Sequence, residues 1–475
     1  GAVLTMNVAD GWRADIDSSI NVAGLNAPGS PAQIAGNAVQ LDGAINVGGA
    51  QGHLQVTADA TLMEHADILV GEGDWLEFAG PIVVQGGDYV LTEGALLEFV
   101  GPTTVEGGHF TTFSDLSSAG AVEFSGPTSW QGTVSVDGIA RQVGNASVDG
   151  ITNVQAHVLD MDGGGDTTWT LNQALTVSAE SIDSTISNTF DGVLNVTGLF
   201  SRLNLELTGF FDKWTMNGEM NLTNAAPGAA VRLDGATMRS TGVINVDGLI
   251  RIASPAEFAG NGEIHFADAD AELWMEVETL VEAGALFFGA GTLRNRGTAE
   301  LTLSDGATLD DVGVVNEGLL LVGNSAGIAS VDHFENTADG TWLVEIGGHL
   351  EGVEHDVLQV TAGAVLLDGS LQVELIDAGS GLFLPELGDE FTILTAVGDV
   401  QGGFLANPIS HAAGHSYHWE VLYHPHDVML RLAEIGELVP EPSTALLMLY
   451  GLGCLVGRSR RRSTMLGTTA QPTVD

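Results

Sequence analysis

Cysteine is almost absent from this 475-residue chain, and the single one, Cys454, lies in an apolar stretch near the C-terminus. Upstream of that stretch the chain therefore offers no disulfide framework, no cysteine zinc ligands and no thiol nucleophile. The HExxH and P-loop motifs are missing as well. These absences remove several large classes of enzyme and metalloprotein.

Basic residues are also scarce: 14 Lys and Arg face 62 Asp and Glu, which gives a formal net charge of −48. Four of the basic residues lie together near the C-terminus, so residues 1–439 carry an even larger excess of acids. Such a surface repels phosphate backbones and anionic lipids, and the sequence predicts no nucleic-acid partner. It should attract cations instead.

Helical periodicity is nearly absent, although the chain is not disordered. Apolar residues make up 44% of the chain, whereas disordered acidic chains are poor in Val, Ile, Leu and Phe. The 64 glycines divide the chain into short strand-like segments. Even AELWMEVETLVEAG (271–284) alternates apolar and acidic side chains, which predicts strands. The sequence therefore predicts an all-β protein.

A repeat organises these strands. LEFAGPIVVQGG (76–87) returns as LEFVGPTTVEGG (97–108) and as VEFSGPTSWQGT (122–133). Its period of 21 to 25 residues, with Gly-Pro as a corner, predicts the coils of a right-handed parallel β-helix, a solenoid. A meander of hairpins is the alternative, because Asp-Gly and Asn-Gly also mark tight turns.

The β-helix hypothesis makes predictions about stacking. Phe78, Phe99 and Phe124 are equivalent in the repeat and should stack at the ~4.8 Å spacing of neighbouring strands. We also expect ladders of Val, Ile, Leu and Asn inside and acids outside. Three near copies of one strand carry a central Asn: GAINVGG (43–49), GVLNVTG (192–198) and GVINVDG (242–248).

The pattern changes at about residue 333. HFENTADGTWLVEIGG (333–348) and LGDEFTILTAVGDVQGGF (387–404) flank further strands in an order that resembles the C-terminal part of secreted, autotransporter-like β-helix proteins. This resemblance implies an extracellular β-helix with a β-rich C-terminal cap. The predicted division is β-helix repeats in residues 1–332, the cap region in 333–434 and a separate tail in 435–475.

The tail has an unusual order of parts. Its uncharged, mostly apolar run, 445–457, is shorter than the ~20 residues that span a bilayer. The run is preceded by Pro440, Glu441 and Pro442 and followed by Arg458, Arg460, Arg461 and Arg462. This order closely resembles the PEP-CTERM sorting signal of Gram-negative bacteria. An ordinary C-terminal anchor helix is the alternative.

The resemblance implies a route for the protein. The membrane enzyme exosortase would recognise the Pro-Glu-Pro tripeptide after transient anchoring in the inner membrane by a short hydrophobic helix. It would then remove the tail and pass the protein to the cell surface or the exopolysaccharide matrix. Arginines after the apolar run fit this route, because they hold that end of the segment in the cytoplasm.

Two clusters have the residue types of metal sites. His411, His415 and His418 belong to a histidine-rich segment that continues through His424-Pro425-His426, a predicted hairpin turn, and histidines bind Zn, Ni or Cu. We interpret them as a surface cluster without converging geometry. Asp160, Asp162 and Asp166 surround glycines, but Leu171 replaces the bidentate Glu of an EF-hand, so a solvated turn is the interpretation. No cofactor is predicted, although Ca²⁺ could bridge acidic chains loosely.

An enzyme is the alternative function, because β-helices include lyases and hydrolases that act on polysaccharides. Its candidate residues are Asp234 with Arg232, Arg239 and Arg251, and the lone Lys213. No motif orders these residues, and analogy of fold is a weak argument for function. The sequence therefore predicts a secreted, non-enzymatic structural or adhesin-like protein of a biofilm matrix, with exosortase and extracellular polysaccharide as partners.

Overall fold

The structure is a computed structural model, and the residues it describes end at 437. The described stretches are 3–5, 14–16, 20–23, 31–35, 38–48, 52–92, 94–112, 121–150, 152–160, 168–171, 175–180, 189–190, 193–197, 202–208, 213–223, 231–235, 237–323, 325–379 and 381–437. Every regular element in these stretches is a β-strand, which confirms the predicted all-β class. The described part of the chain contains no helix that could span a membrane.

The described stretches contain fifty strands in chain order. The first half consists of β1 Val3–Thr5, β2 Ala14–Ile16, β3 Ile20–Ala23, β4 Ala32–Ala35, β5 Ala38–Leu41, β6 Ala44–Gly48, β7 His53–Val56, β8 Asp59–Leu62, β9 Asp67–Val70, β10 Trp75–Phe78, β11 Ile82–Val84, β12 Asp88–Leu91, β13 Leu96–Phe99, β14 Thr103–Thr112, β15 Ala121–Phe124, β16 Thr128–Gln142, β17 Ala146–Val148, β18 Thr152–Asp160, β19 Thr168–Leu171, β20 Leu175–Glu180, β21 Thr189–Phe190, β22 Val193–Thr197, β23 Arg202–Thr208, β24 Lys213–Met216 and β25 Glu219–Thr223. The second half consists of β26 Val231–Gly235, β27 Thr237–Ser240, β28 Val243–Asp247, β29 Leu249–Ile252, β30 Ala256–Phe258, β31 Glu263–Phe266, β32 Glu272–Met275, β33 Thr279–Val281, β34 Leu286–Phe288, β35 Thr292–Asn295, β36 Glu300–Leu303, β37 Thr308–Asp310, β38 Gly313–Asn316, β39 Leu319–Val322, β40 Ile328–Val331, β41 His333–Asn336, β42 Thr341–Ile346, β43 Val357–Val360, β44 Val365–Leu367, β45 Ser370–Leu375, β46 Glu390–Ala396, β47 Val400–Gly402, β48 Ile409–Ala412, β49 His415–Tyr423 and β50 Asp427–Glu437.

The strands form the coils of a parallel solenoid. β10, β11 and β12 pair in parallel with β13, with the first part of β14 and with its second part. We call the three sides to which β10, β11 and β12 belong the first, second and third faces. Later strands of the chain extend each of these three faces by parallel pairing. On the first face, the strands from β21 to β45 form a separate nine-stranded sheet. The β-solenoid prediction is confirmed, and the hairpin meander is wrong for residues 76–135.

Aromatic residues of the repeat stack inside the solenoid. Phe78 is in register with Phe99, and Phe99 with Phe124. Their ring centroids are 5.5 Å and 5.0 Å apart, with planes 12° and 11° from parallel, and all three rings are buried. The predicted stack is therefore confirmed. Each such aromatic pair contributes about 0.5–1.5 kcal/mol beyond its burial.

Outward asparagines correct part of the core prediction. Asn221 and Asn245 lie in register on the second face, and Nδ2 of Asn245 donates to Oδ1 of Asn221 over 2.7 Å. Both side chains are half-buried and point outwards, whereas Ile244 and Val246 of the same strand are buried. The central Asn of GVINVDG therefore belongs to the outer surface rather than to the core.

An interior asparagine ladder exists at different positions. Asn295, Asn316 and Asn336 lie in register on the third face and are fully buried. Nδ2 of Asn295 donates to Oδ1 of Asn316 over 2.8 Å, and Nδ2 of Asn316 donates to Oδ1 of Asn336 over 2.7 Å. The same amides also donate to carbonyls of the next corner, that of Thr341 among them. The ladder thereby satisfies backbone acceptors that a turn would leave unpaired.

Antiparallel strands close the C-terminal end of the solenoid. β46 and β49 both pair antiparallel with β50, and β48 pairs antiparallel with β49. Phe391 and Trp419 are buried there with ring centroids 5.8 Å apart, and Nε1 of Trp419 donates to Oγ of Ser410 over 2.9 Å. This sheet covers the apolar end of the last coil, as a solenoid requires.

Parallel coiling runs well past residue 333, where the sequence pattern changes. β41 pairs in parallel with β44, and β44 with β47, which ends at Gly402. The change of pattern thus falls within the solenoid. The three-part division of the chain stays a prediction.

Glycine at the repeated corner is required by the close approach of successive coils. A Cβ on Gly101 would lie 2.1 Å from the carbonyl oxygen of Gly80, and a Cβ on Gly126 would lie 2.3 Å from that of Gly101. These atoms are backbone and cannot rotate away. The Gly of each Gly-Pro step therefore permits the coil spacing.

We expect Gly101→Ala to destabilise the solenoid by about 1–3 kcal/mol, because the added methyl group overlaps backbone atoms of the previous coil. Gly48→Ala is the matched control, since a Cβ on Gly48 would have no atom within 4 Å. The measurement is the urea midpoint of unfolding. Equal midpoints for the two variants would contradict the stacking of this corner.

Candidate functional site

An open groove lies beside the Gly-Pro corner on the second face. Its volume is about 710 Å³, and it crosses several coils. Pro81, Pro102 and Pro127 lie along it, one from each coil of the repeat. Proline has no N–H, but the carbonyls of Pro102 and Pro127 accept from the backbone N–H of Ile82 and Thr103 over 2.9 and 2.8 Å. The corner therefore keeps its ladder while presenting proline rings to the groove.

One outward position on each coil forms a row along the groove. The row consists, in register, of Gln40, Thr61, Val83, Thr104, Ser129, Ser147 and Thr170. Parallel strands place equivalent residues about 4.8 Å apart, so the row repeats at that spacing. Most of its members carry a hydroxyl group. We call it the hydroxyl row.

The hydroxyl groups differ in their partners. Ser129 and Ser147 both donate to Oδ2 of Asp149 over 2.7 Å. The hydroxyls of Thr61 and Thr104 make no hydrogen bond with the described residues, and both side chains are half-buried. These two groups are therefore available to a ligand.

Charge is nearly absent from the groove, in contrast to the rest of the chain. Asp59 is the single ionisable residue that lines it. Thr, Ser, Pro, Val and Ala side chains form the remainder together with Gln40, Ile82 and Asn145. The groove is thus a hydroxyl-bearing strip with a single lining carboxylate, on a protein of net charge −48.

The arginines proposed for an enzyme site are held in ion pairs. Arg232 Nη1 donates to Oε2 of Glu276 over 2.9 Å, and Arg251 Nε donates to Oε1 of the same carboxylate over 2.6 Å. Arg239 lies on a different face, where its Nε donates to Oε1 of Glu257 over 2.7 Å.

The enzyme candidates are thus not brought together as one group. Arg232 and Arg251 are neighbours on the third face, whereas Arg239 belongs to the first-face sheet. The side chains of Asp234 and Lys213 lie outside the described residues. The arrangement resembles an ion-pair ladder rather than a catalytic groove.

The histidines of the predicted surface cluster lie in the antiparallel sheet that closes the C-terminal end of the solenoid. His411 is on β48, and His415 and His418 are on β49. The predicted turn is confirmed, because His424-Pro425-His426 joins β49 to its antiparallel partner β50. Across the described stretches, no three His, Cys, Asp or Glu side chains converge as metal ligands.

The aspartate cluster falls largely beyond what the structure describes. Asp162 and Asp166 lie outside the described residues, as does the side chain of Asp160 at the end of β18. A calcium role for these residues stays a prediction.

Asp356, under the cap, is a buried carboxyl group that sequence reasoning did not find. Its Oδ1 accepts from the backbone N–H of Gly327 over 3.0 Å, and its Oδ2 accepts from that of Glu345 over 2.7 Å. Burial, with a smaller contribution from the charge of Glu345, raises the pKa of Asp356 to about 8, although both N–H donors act to lower it. The side chain ties two coils together.

The sorting residues of the tail lie outside the described residues. Residues 438–463, however, match the family model described as the PEP-CTERM protein-sorting motif. The match contains Pro440 to Pro442, the apolar run and the arginines. The chain therefore carries a PEP-CTERM sorting signal. No curated protein matches the chain.

The signal determines the route of the protein in outline. It implies processing by exosortase at the membrane, and it indicates export with transient membrane anchoring before surface localisation. The chain is an exosortase-dependent secreted surface protein in this sense. Its body is a β-solenoid.

Sequence reasoning identified the signal but missed the groove. The signal could be recognised because its parts are contiguous. The groove is built from residues about one coil apart, and the recurring Gly-Pro step was the available clue to where it lies.

We expect the stability that Asp356 contributes to be lost as the pH rises. Because its pKa is raised from 3.8 to about 8 by folding, this contribution is complete below about pH 4 and falls by about 1.4 kcal/mol per pH unit until about pH 8. Asp356→Asn should remove this dependence. The measurement is the free energy of unfolding against pH for both chains.

Asp310→Asn serves as the control for Asp356→Asn, since Asp310 is exposed. It should leave the pH profile of the wild type unchanged. A stability difference between wild type and Asp356→Asn that stays constant from about pH 5 to about pH 8 would contradict the assignment.

Proposed function

We propose that this protein is a non-enzymatic structural or adhesin-like component of the cell surface or exopolysaccharide matrix of a Gram-negative bacterium. The observation that carries the proposal is the match of residues 438–463 to the PEP-CTERM sorting motif, joined to a solenoid body. A sorting signal of this kind directs a folded body to the surface. A stack of coils supplies an extended surface there.

The arginine geometry supports a structural role. Arg232 and Arg251 neutralise the same carboxylate, Glu276, so neither guanidinium is poised as a general base. Carboxylates that share a ligand would be needed for a calcium-dependent lyase, and no such group forms within the described stretches. These contacts support the structural proposal over a polysaccharide-acting enzyme.

Three finer features belong to the same proposal. The coil is right-handed, in agreement with the preferred hand of connections between parallel strands. The apolar run 445–457 forms a short helix while it is in the membrane. The body is autotransporter-like in its arrangement of an extracellular β-helix and a C-terminal cap, and extracellular polysaccharide is its partner.

Changing the tripeptide tests the sorting step. Replacing Pro440, Glu441 and Pro442 with Ala should leave the uncleaved precursor in the membrane, because exosortase loses its recognition sequence. Replacing Ser443 and Thr444 with Ala is the control and should leave release unchanged. The measurement is mass spectrometry of the C-terminal peptide of matrix-released protein from the native host. A released wild-type chain that still ends in Asp475 would overturn the proposal.

Changing the arginines tests the halt in the membrane. Each arginine costs roughly 2.5 to 3.5 kcal/mol to move to a bilayer centre. Substitution of Arg458, Arg460, Arg461 and Arg462 by Ser should therefore let the tail pass through the membrane uncleaved. The body should remain folded in this variant, which circular dichroism checks. Retention of normal cleavage would show that the arginines do not hold the tail.

A further inference from the structure

We propose that the groove along the hydroxyl row binds an extended, uncharged polysaccharide whose chain runs along the solenoid axis. The inference rests on the proposed function, because the cell surface or matrix is where the protein would meet such a polymer. The binding itself depends only on the groove. Its occupant is an uncharged glycan of extended, β-linked chain geometry.

Periodicity is the first argument. Thr61, Val83 and Thr104 occupy one position on successive coils and are in exact register. The row therefore places an outward side chain about every 4.8 Å along the axis, with the hydroxyl groups of Thr61 and Thr104 two coils apart. A ligand that uses such a row must itself repeat along a straight line. An extended β-1,4-linked glycan does so, because its successive sugars are turned over and equivalent hydroxyl groups face the same side at every second sugar, which is close to the two-coil separation of Thr61 and Thr104.

Charge selects the class of polymer. One carboxylate, Asp59, lines the groove, and a second, that of Asp149, accepts from Ser129 and Ser147 of the row. No basic residue is among the described residues that line the groove, on a chain of net charge −48. A polyanion such as a uronate chain would be repelled by the field of the protein and would find no cation in the groove. A polycation would be drawn to the acidic faces in preference to this strip. An uncharged polymer is the class whose binding this distribution leaves unopposed.

The chemistry of the lining matches the two sides of a sugar ring. The hydroxyls of Thr61 and Thr104 have no partner within the described residues and can donate to or accept from sugar hydroxyls. Val83 lies between them, and Pro81 and Pro102 line the groove beside the row. These side chains provide apolar contact for the C–H faces of the rings. Sites for small organic ligands commonly combine apolar lining with a few placed polar groups.

Backbone recognition of a peptide strand is not available in this groove. β8, β11 and the first part of β14 are each paired with a neighbouring coil, so they present no free edge to a β-strand. Recognition must therefore come from side chains. This feature favours a polymer that carries hydroxyl groups over an extended peptide.

The test measures binding of a β-1,4-linked glucose hexasaccharide to the full-length chain by titration calorimetry. The wild type should bind this probe, and should bind neither an oligogalacturonate of equal length nor an α-1,4-linked glucose hexasaccharide, whose chain curves. Val83→Phe should abolish binding by filling the middle of the groove. The pair Thr61→Val and Thr104→Val should weaken binding at least about fivefold, since two hydrogen bonds are lost.

Matched controls come from the first face. Leu280 and Thr302 are half-buried, outward and in register with each other, far from the groove in sequence. Leu280→Phe and Thr302→Val should leave the affinity unchanged. Unfolding curves for all variants show whether each chain is folded, so loss of binding by a folded Val83→Phe chain is assigned to the groove.

Three outcomes would overturn the inference. They are no binding of the β-linked probe by the wild type, undiminished binding by Val83→Phe, and equal binding of the uronate probe. None of these outcomes bears on the sorting signal, because the titration uses purified chain in solution. Failure of tail processing in the host would leave the titration result unaffected.

Discussion

In-register parallel stacking is the constraint on which the rest of this structure depends. The nearest neighbour of each side chain is the residue at the same position of the previous coil. Side chains that interact favourably with an identical side chain are therefore favoured. Stacked rings in the core satisfy this condition at Phe78, Phe99 and Phe124. Asn316 satisfies it by donating to one asparagine while accepting from another. The corner glycines satisfy it by having no side chain at all.

In-register stacking also places like charges next to each other, and their repulsion is unfavourable in a chain with this many acidic residues. Glu98 and Glu123 lie directly in register, and Oγ of Ser125 lies 2.9 and 3.0 Å from an oxygen of each carboxylate, so that its single hydrogen is shared between them. Further along the solenoid, arginines neutralise the stacked carboxylates. Arg294 donates to Oε1 of Glu317 over 2.8 Å, and Arg296 is held over the ring of Trp274 at 4.0 Å. Every arginine whose side chain the structure describes forms an ion pair with a glutamate.

The sequence could predict the features that depend on a local or a repeated sequence pattern. The stack of Phe78 and Phe99 followed from their place in the repeat, and the strand over Glu272–Met275 followed from alternation of apolar and acidic residues. Alternation alone did not say which side Asn245 faces, because an asparagine ladder is stable both inside and outside. The burial of Asp356 depends on backbone donors from Gly327 and Glu345, and these are distant in sequence.

The solenoid separates the groove from the membrane anchor. The groove ends near β19, and nine more strands of the second face, from β22 to β46, follow before the cap. At about 4.8 Å per coil this is a distance of roughly 40 Å. The chain enters the tail after Glu437, at the opposite end of this stack. Because the tail follows Glu437 and the groove ends near β19, membrane anchoring and binding in the groove use different residues.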